Sequence, residues 1–231
     1  GEYFNNPERT SVRVFNFNSE NISWKTSHEF NPGQIRHIHA LQKDQYTGRL
    51  WICVGDENNE PMIGWSEDNY HSINPIGSGN QIWRTCQLVF TEEAIFWGTD
   101  TGSKEVAGIY RWDKKSAELN QVYRTEGAVF FSVSLGNGTI VMSTDREGFP
   151  NENDDKTRLI LIDKTGKIVT LTCGTCKYKK HGFRFNFAKL RLQRSSGDHM
   201  IVMSVLNQKE FPESELLIFP QQSLVSVFEN G

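Results

Sequence analysis

The sequence predicts an all-β fold, a β-propeller built from four-stranded antiparallel blades. Three apolar, strand-like runs end in an aspartate, and these residues, Asp56, Asp100 and Asp145, are spaced 44 and 45 residues apart. That spacing matches the roughly 40 to 50 residues of one blade. Another apolar run and a turn precede each of the three runs, and two more strand-like runs follow it. Each repeat therefore contains four predicted strands.

Blade boundaries follow from this repeat. We predict a single propeller domain over residues 1–231, with a partial blade at 1–33 and blades at approximately 34–76, 80–125, 127–172 and 181–228. Four full blades and a part correspond either to a ring of about five blades or to a fragment of a larger ring. A fragment leaves two sheet edges unpaired.

The first full blade opens with a hairpin over residues 34–56 that carries more polar groups than a plain structural strand needs. Its first strand, residues 35–41, alternates in character. Because successive side chains of a strand point to opposite faces, this alternation places Arg36 on one face and His37 and His39 on the other. Polar side chains are therefore expected at both ends of this hairpin.

Composition limits the function classes. The 231-residue chain has a net charge of −3, so no global basic field favours nucleic acid. No apolar run approaches the roughly 18 residues of a transmembrane helix, and the first residues do not resemble a signal peptide. We expect no nucleic-acid partner and no membrane span. Localisation stays open between secreted and cytoplasmic, and the oligomeric state is unknown.

Cysteine spacing offers little support for a metal centre. Cys173 and Cys176 form a lone CxxC, whereas a structural zinc site needs four ligands and the sequence has no second CxxC. His37 and His39 share one strand face, a spacing that suits two metal ligands or an acid/base pair, but no third ligand can be assigned. We therefore predict no metal and no cofactor.

A second motif points to a family. Ser66-Glu67-Asp68-Asn69-Tyr70-His71-Ser72-Ile73 is similar to the Asp-box, Ser-x-Asp-x-Gly-x-x-Trp, with Tyr70 at the Gly position and Ile73 at the Trp position. Residues 19–24 form a more degenerate copy that keeps Trp24. The chain thus resembles the sialidase-like BNR-repeat proteins, in which the box is a structural hairpin between outer strands. The resemblance implies a glycosyl hydrolase and a six- or seven-bladed ring, of which this chain lacks N-terminal blades.

Blade topology predicts where the polar residues meet. In a blade the first strand opens, and the second strand closes, on the same face of the ring, so opening and closing residues are neighbours. The openers are Arg36, His37, His39, Arg84 and Arg184, and the closers are Asp56, Asp100 and Asp145. Glu2 and Tyr3 join them if the partial blade completes the ring. We expect cationic groups and carboxylates to converge on one rim.

Three functions fit this convergence. The first is a sialidase-like glycoside hydrolase acting on an acidic glycan or polysaccharide. Its catalytic candidates are Asp56 or Asp100 as acid/base and Glu2 with Tyr3 as a nucleophile pair; its substrate-binding candidates are Arg36, Arg84, Arg184, Asp145 and Trp97.

The second function is a polysaccharide lyase, in which His37 or His39 removes a proton beside a uronate carboxylate neutralised by Arg36 or Arg84. The third is a propeller that binds a glycan or a protein without catalysis. Structural roles are the alternative for the same aspartates and arginines. The repeated aspartates can cap turns, and the arginines can pair with them between blades.

Overall fold

The computed structural model describes residues 1–57, 59–149, 151–177, 188–194, 199–211 and 214–228. The chain divides into two compact units, Gly1–Glu92 and Glu93–Gly231. Nearly all of the regular structure is β, arranged in antiparallel sheets whose strands follow one another in chain order. This is the architecture of β-propeller blades. The predicted all-β propeller fold is confirmed.

The first unit contains a two-stranded hairpin and one complete blade. Its strands are β1 (Val12–Asn18), β2 (Ser23–Phe30), β3 (Ile38–Lys43), β4 (Leu50–Val54), β5 (Met62–Ser66), β6 (Asn74–Ser78) and β7 (Leu88–Phe90). Strands β1 and β2 pair with each other, and β3 to β6 form a four-stranded sheet. The hairpin covers residues 12–30, and the sheet covers residues 38–78.

The second unit contains three antiparallel sheets. The first includes β8 (Ala94–Gly98), β9 (Gly108–Asp113) and β10 (Leu119–Arg124). The second consists of β11 (Val129–Ser134), β12 (Ile140–Thr144), β13 (Lys156–Ile162) and β14 (Ile168–Thr175), and the third of β15 (Lys189–Arg194), β16 (Met200–Leu206) and β17 (Glu215–Pro220). One turn of helix, α1 (Gln222–Val225), follows. Among the described residues no helix is both long and apolar enough to cross a bilayer.

One predicted strand is shorter than expected. The apolar run from Trp83 to Phe90 reads as continuous strand, but β7 covers only its last three residues. Trp83 lies in a 3-10 helix, Gln81–Trp83, that Asn80 begins by accepting a hydrogen bond from the backbone N–H of Ile82. A side chain that bonds the local backbone in this way competes with strand formation.

Each unit has a hydrophobic core formed by side chains of its strands. In β1, Val12 and Val14 are buried and pack with Ile38, Ile52 and Val54 of the adjacent sheet. A separate core in the second unit contains Val141, Leu159, Leu161, Leu190 and Ile201. Apolar side chains thus hold the sheets together, and polar groups lie at the ends of the strands.

The turn between β5 and β6 holds the Asp-box-like sequence. Asp68 accepts hydrogen bonds from the Ser66 hydroxyl at 2.7 Å and from the Ser72 hydroxyl and backbone N–H at 2.7 and 2.9 Å. Tyr70, at the Gly position of the box, has a left-handed φ of 67°. Its ring is buried, and its hydroxyl donates to the backbone oxygen of Trp51 at 3.1 Å. The turn is therefore held by polar bonds and by a core aromatic ring.

Replacing Tyr70 with glycine, Tyr70→Gly, tests which of two opposing effects is larger. Glycine relieves a left-handed conformation that costs about 1–2 kcal/mol in an L-residue. Loss of a buried aromatic ring costs about 3–5 kcal/mol. We expect a net loss of about 2 kcal/mol in the free energy of unfolding, measured by urea denaturation. A more stable variant would contradict the core role of this ring.

Candidate functional site

A β-bulge directs the first strand of the complete blade toward its closing aspartate. Ile38 pairs with Val54 and Ala40 with Cys53, so His39 has no partner across the ladder. Arg36 and His37 precede the strand. The simple alternation predicted Arg36 on the face opposite the histidines, and that prediction is wrong, because all three side chains reach the same carboxylate. Bulges commonly re-aim side chains in this way.

A tight turn after β4 positions Asp56. Gly55 has φ of 83°, and a Cβ at this position would lie 2.3 Å from the backbone of Glu60, so only glycine fits. The Glu60 carboxylate accepts hydrogen bonds from the backbone N–H groups of Asp56 and Arg36, both at 3.2 Å. Gln81 donates to the Asp56 backbone oxygen at 3.0 Å. Asp56 is thereby held at the end of the strand, as predicted.

Four cationic or imidazole side chains contact the Asp56 carboxylate. His39 Nε2 lies 2.9 Å from Oδ1 and His37 Nε2 lies 3.4 Å from Oδ2. Arg36 Nη1 lies 3.2 Å from Oδ2, and Arg84 Nη2 lies 3.5 Å from Oδ1. The predicted convergence of strand openers on a closing aspartate is therefore present within the first unit.

Both imidazole rings face oxygen acceptors with both of their nitrogens. Besides Asp56, His37 Nδ1 lies 3.2 Å from the backbone oxygen of Phe4, and His39 Nδ1 lies 3.0 Å from that of Thr85. Each imidazole ring is therefore held at both of its nitrogens, by a backbone carbonyl on one side and by the Asp56 carboxylate on the other.

The electrostatics of Asp56 result from two opposing effects. Burial alone raises the pKa of this carboxyl group, whose side chain is only 8% exposed. Hydrogen bonds from His37 and His39 and the charge of Arg84 outweigh burial and hold the pKa far below its usual range. Asp56 is therefore ionised at neutral pH. In contrast to the buried histidines, Arg36 and Arg84 keep 23% and 22% of their side chains exposed.

The N-terminal segment covers one side of this cluster. The Tyr3 ring lies against His37 with a centroid distance of 4.2 Å and remains 71% exposed. Asn5 Oδ1 accepts a hydrogen bond from Arg36 Nη2 at 3.0 Å. The Glu2 carboxylate accepts from the backbone N–H of Arg13 at 2.7 Å. Tyr3 thus borders the Asp56 cluster, whereas Glu2 bonds the β1 strand.

A metal ion is one conceivable occupant. His37, His39 and Asp56 each offer a ligand atom, and these atoms lie within 4.8 Å of one another. However, the guanidinium groups of Arg36 and Arg84 lie within 3.5 Å of the same carboxylate and repel a cation. The two guanidinium groups therefore disfavour a metal ion at Asp56.

The other predicted site residues belong to the second unit or lie outside the described residues. Asp100 follows β8 and is buried. Trp97 is fully buried, with its ring stacked on Tyr110 at 6.0 Å, so neither of its faces is open to a ligand. Arg184 lies outside the described residues. Convergence of these residues with the Asp56 cluster stays a prediction.

Asp145 occupies the same sequence position in its repeat as Asp56 but has different surroundings. Its side chain is completely buried, and Oδ1 accepts from the backbone N–H of Leu190 at 3.2 Å. Lys189 Nζ lies 3.7 Å from Oδ2 and bonds Glu147 at 2.8 Å. Burial dominates here and raises the pKa of Asp145 to about 8, although the charge of Lys189 opposes it.

Sequence reasoning missed three contributors to the cluster. The Glu60 carboxylate accepts a hydrogen bond from the backbone N–H of Arg36, and Asn5 accepts one from the Arg36 guanidinium group. The backbone oxygen of Phe4 contacts the ring of His37. A glutamate four residues after Asp56 was the one local signal available. The N-terminal contacts bridge more than 30 residues of sequence, and no pattern in the chain marks them.

Comparison with known proteins identifies the fold. No protein-family model matches the chain, and no curated protein matches it. Solved structures do match. Dipeptidyl peptidase 4 of Porphyromonas gingivalis is 13% identical with a TM-score of 0.52, over 90% of this chain and 28% of that chain. A chain of the nidogen/laminin complex is 11% identical with a TM-score of 0.54, over 90% and 76%.

A putative gluconolactonase is also similar, at 11% identity and a TM-score of 0.50, over 90% of this chain and 71% of that chain. This chain spans less than a third of the peptidase. At such identities the likeness shows the fold alone. These structures do not support the resemblance to sialidase-like repeats in particular. The chain has the β-propeller fold, and this fold alone does not identify a function.

Proposed function

We propose that this chain is a carbohydrate-binding propeller that holds the carboxylate of an acidic saccharide between Arg36 and Arg84. The observation that carries the proposal is the Asp56 cluster, in which one carboxylate contacts two guanidinium groups and two imidazole rings. Because both arginines are partly exposed, they can bond a second, incoming carboxylate. The exposed Tyr3 ring beside them offers a face for a sugar.

An orphaned donor supports anion binding. Arg36 Nη1 and Nη2 are bonded to Asp56 and Asn5, but Nε is buried without a hydrogen-bond partner among the described residues. A buried unsatisfied donor on a charged group is costly. A ligand oxygen or a bound water that satisfies it would recover part of this cost.

Hydrolysis of the sialidase-like type is less well supported than binding. A glycoside hydrolase needs a carboxyl group that donates a proton to the leaving oxygen. The low pKa of Asp56 keeps this group ionised, so it is a poor general acid. The lyase alternative needs an imidazole with a free nitrogen, and both nitrogens of His37 and of His39 already face oxygen acceptors. Both chemistries are thus disfavoured in this conformation.

Calorimetric titration with trigalacturonate and with its methyl ester tests the proposal, because the two probes differ only in their carboxylates. We expect the acid to bind at least tenfold more tightly than the ester. Arg84→Gln removes one charged contact and is expected to weaken binding of the acid by roughly tenfold or more. Arg49→Gln is the matched control, because Arg49 pairs with Glu67 at an exposed position and contacts Trp65 rather than Asp56.

Equal affinities for acid and ester, or equal losses in the two arginine variants, would contradict the proposal. The same samples should be followed for reducing ends and for absorbance of an unsaturated uronate. We expect neither product. Reducing ends that disappear in Asp56→Asn would instead favour the hydrolase, and absorbance that disappears in His37→Gln would favour the lyase.

A further inference from the structure

An exposed aromatic pair lies on the β1–β2 hairpin, outside the Asp56 cluster. Phe17 and Trp24 are directly opposite each other in the register, with ring centroids 4.8 Å apart. Phe17 is 45% exposed and Trp24 is 67% exposed. Exposed aromatic rings that lie side by side are common at surfaces that bind other molecules.

A cleft of about 430 Å³ is lined by Phe17 of this pair, whereas Trp24 packs on Phe17 and is not part of the lining. Small-molecule sites in proteins have volumes of roughly 300–1,000 Å³. The polar part of the lining consists of amide, hydroxyl and carboxylate side chains: Asn16, Asn18, Ser19, Glu20, Thr26 and Ser27. These groups can both donate and accept hydrogen bonds, which is the chemistry that a ligand rich in hydroxyl groups requires.

The turn that carries Glu20 is fixed by its own hydrogen bond. Asn18 Oδ1 accepts from the backbone N–H of Glu20 at 2.8 Å, so the end of the hairpin is held against the cleft. Lys25 also lines the cleft, and its charge is opposite to that of Glu20. His71, from the turn between β5 and β6, completes the lining. Because the two full charges cancel, the cleft does not have the excess of guanidinium groups that surrounds Asp56.

We propose that this cleft is a second saccharide-binding site, in which an uncharged sugar ring stacks on Phe17 while its hydroxyl groups bond the amide and hydroxyl side chains of the hairpin. Sugar rings present apolar C–H faces and polar edges, and the cleft places the Phe17 ring next to polar groups. The site shares no residue with the Asp56 cluster and does not depend on the function proposed for it.

Titration of the folded chain with three uncharged probes, cellohexaose, chitohexaose and mannohexaose, tests this site by amide NMR shifts. We expect at least one probe to shift residues 16–20, 25–27 and 71 together. Phe17→Ala is expected to weaken that binding by roughly tenfold, since the Phe17 ring supplies the aromatic surface of the cleft. Phe17 is 45% exposed, so its loss should leave the fold intact.

Tyr46→Ala serves as the control, because Tyr46 is also an exposed aromatic residue of the first unit and lies in the turn after β3. It should bind the probe as the wild type does. The proposal is overturned if no probe shifts these residues at millimolar concentration or if both variants bind equally. Shifts at Phe17 and Trp24 that depend on protein concentration without any sugar would overturn it in favour of a protein–protein interface.

Discussion

Asp56→Asn is expected to lower the free energy of unfolding by about 3–5 kcal/mol at pH 7, the cost of removing one partner from a buried charge cluster. Asparagine keeps the shape of the side chain but cannot neutralise Arg36, Arg84 and the two imidazole rings that contact Asp56. Urea denaturation followed by tryptophan fluorescence measures the change. The variant should unfold at a clearly lower urea concentration than the wild type.

The effect of Asp56→Asn should depend on pH. The pKa of Asp56 is lowered in the folded protein, so its stabilising contribution is fully present above the unfolded value of about 3.9. That contribution is lost as pH falls below the unfolded value, because the unfolded state then binds a proton that the folded state does not. The difference between wild type and variant should therefore be constant from pH 5 to 8 and shrink below pH 4.

Glu67→Gln is the matched control for Asp56→Asn. It also removes a carboxylate that pairs with an arginine in the first unit, at 2.8 Å, but its side chain is 63% exposed. Exposed pairs contribute about 0–1 kcal/mol, so little change is expected. If both substitutions had the same small effect, the Asp56 cluster would be no more than a set of solvated surface charges.

Part of the Asp56 cluster can be predicted from the sequence. The period of the aspartates and the topology of a blade predict that Arg36, His37, His39 and Arg84 share a rim with the closing aspartates. In the first unit all four contact Asp56. These relations depend only on which strand ends share a face. The period of the aspartates marks these strand ends in the sequence, and β3 to β6 form a four-stranded sheet of the kind that the period predicts.

Sequence could not predict how the cluster is completed. The bulge at His39 depends on the register between β3 and β4, and alternation alone assigned Arg36 to the wrong face. The orientation of the His37 ring depends on its contact with the backbone oxygen of Phe4, 33 residues away. Asp56 and Asp145 have the same place in the repeat. Asp56 contacts four cationic or imidazole side chains, whereas Asp145 is fully buried and contacts one lysine and the backbone N–H of Leu190. The repeat pattern cannot distinguish them.

Asp145→Asn is therefore expected to have the opposite effect to Asp56→Asn. Burial raises the pKa of Asp145 to about 8, so the folded protein retains a proton that the unfolded chain releases above about pH 3.9. Wild-type stability consequently falls as pH rises through this window. Asparagine stays neutral, and its side-chain oxygen can still accept the hydrogen bond from Leu190. Relative to wild type, the variant should gain roughly 3–5 kcal/mol between pH 4 and pH 8.

Denaturation curves of the two proteins at unit pH intervals measure this gain. Asp163→Asn is the control, because Asp163 lies in an exposed turn of the same unit and its pKa is lowered, chiefly by its bond to Thr165. Its difference from wild type should be flat above pH 5. Lys189 keeps its bond to Glu147 when Asp145 is neutral, so the variant does not leave that ammonium group unpaired. A difference between Asp145→Asn and wild type that stays flat with pH would mean that Lys189, rather than burial, sets the charge of Asp145.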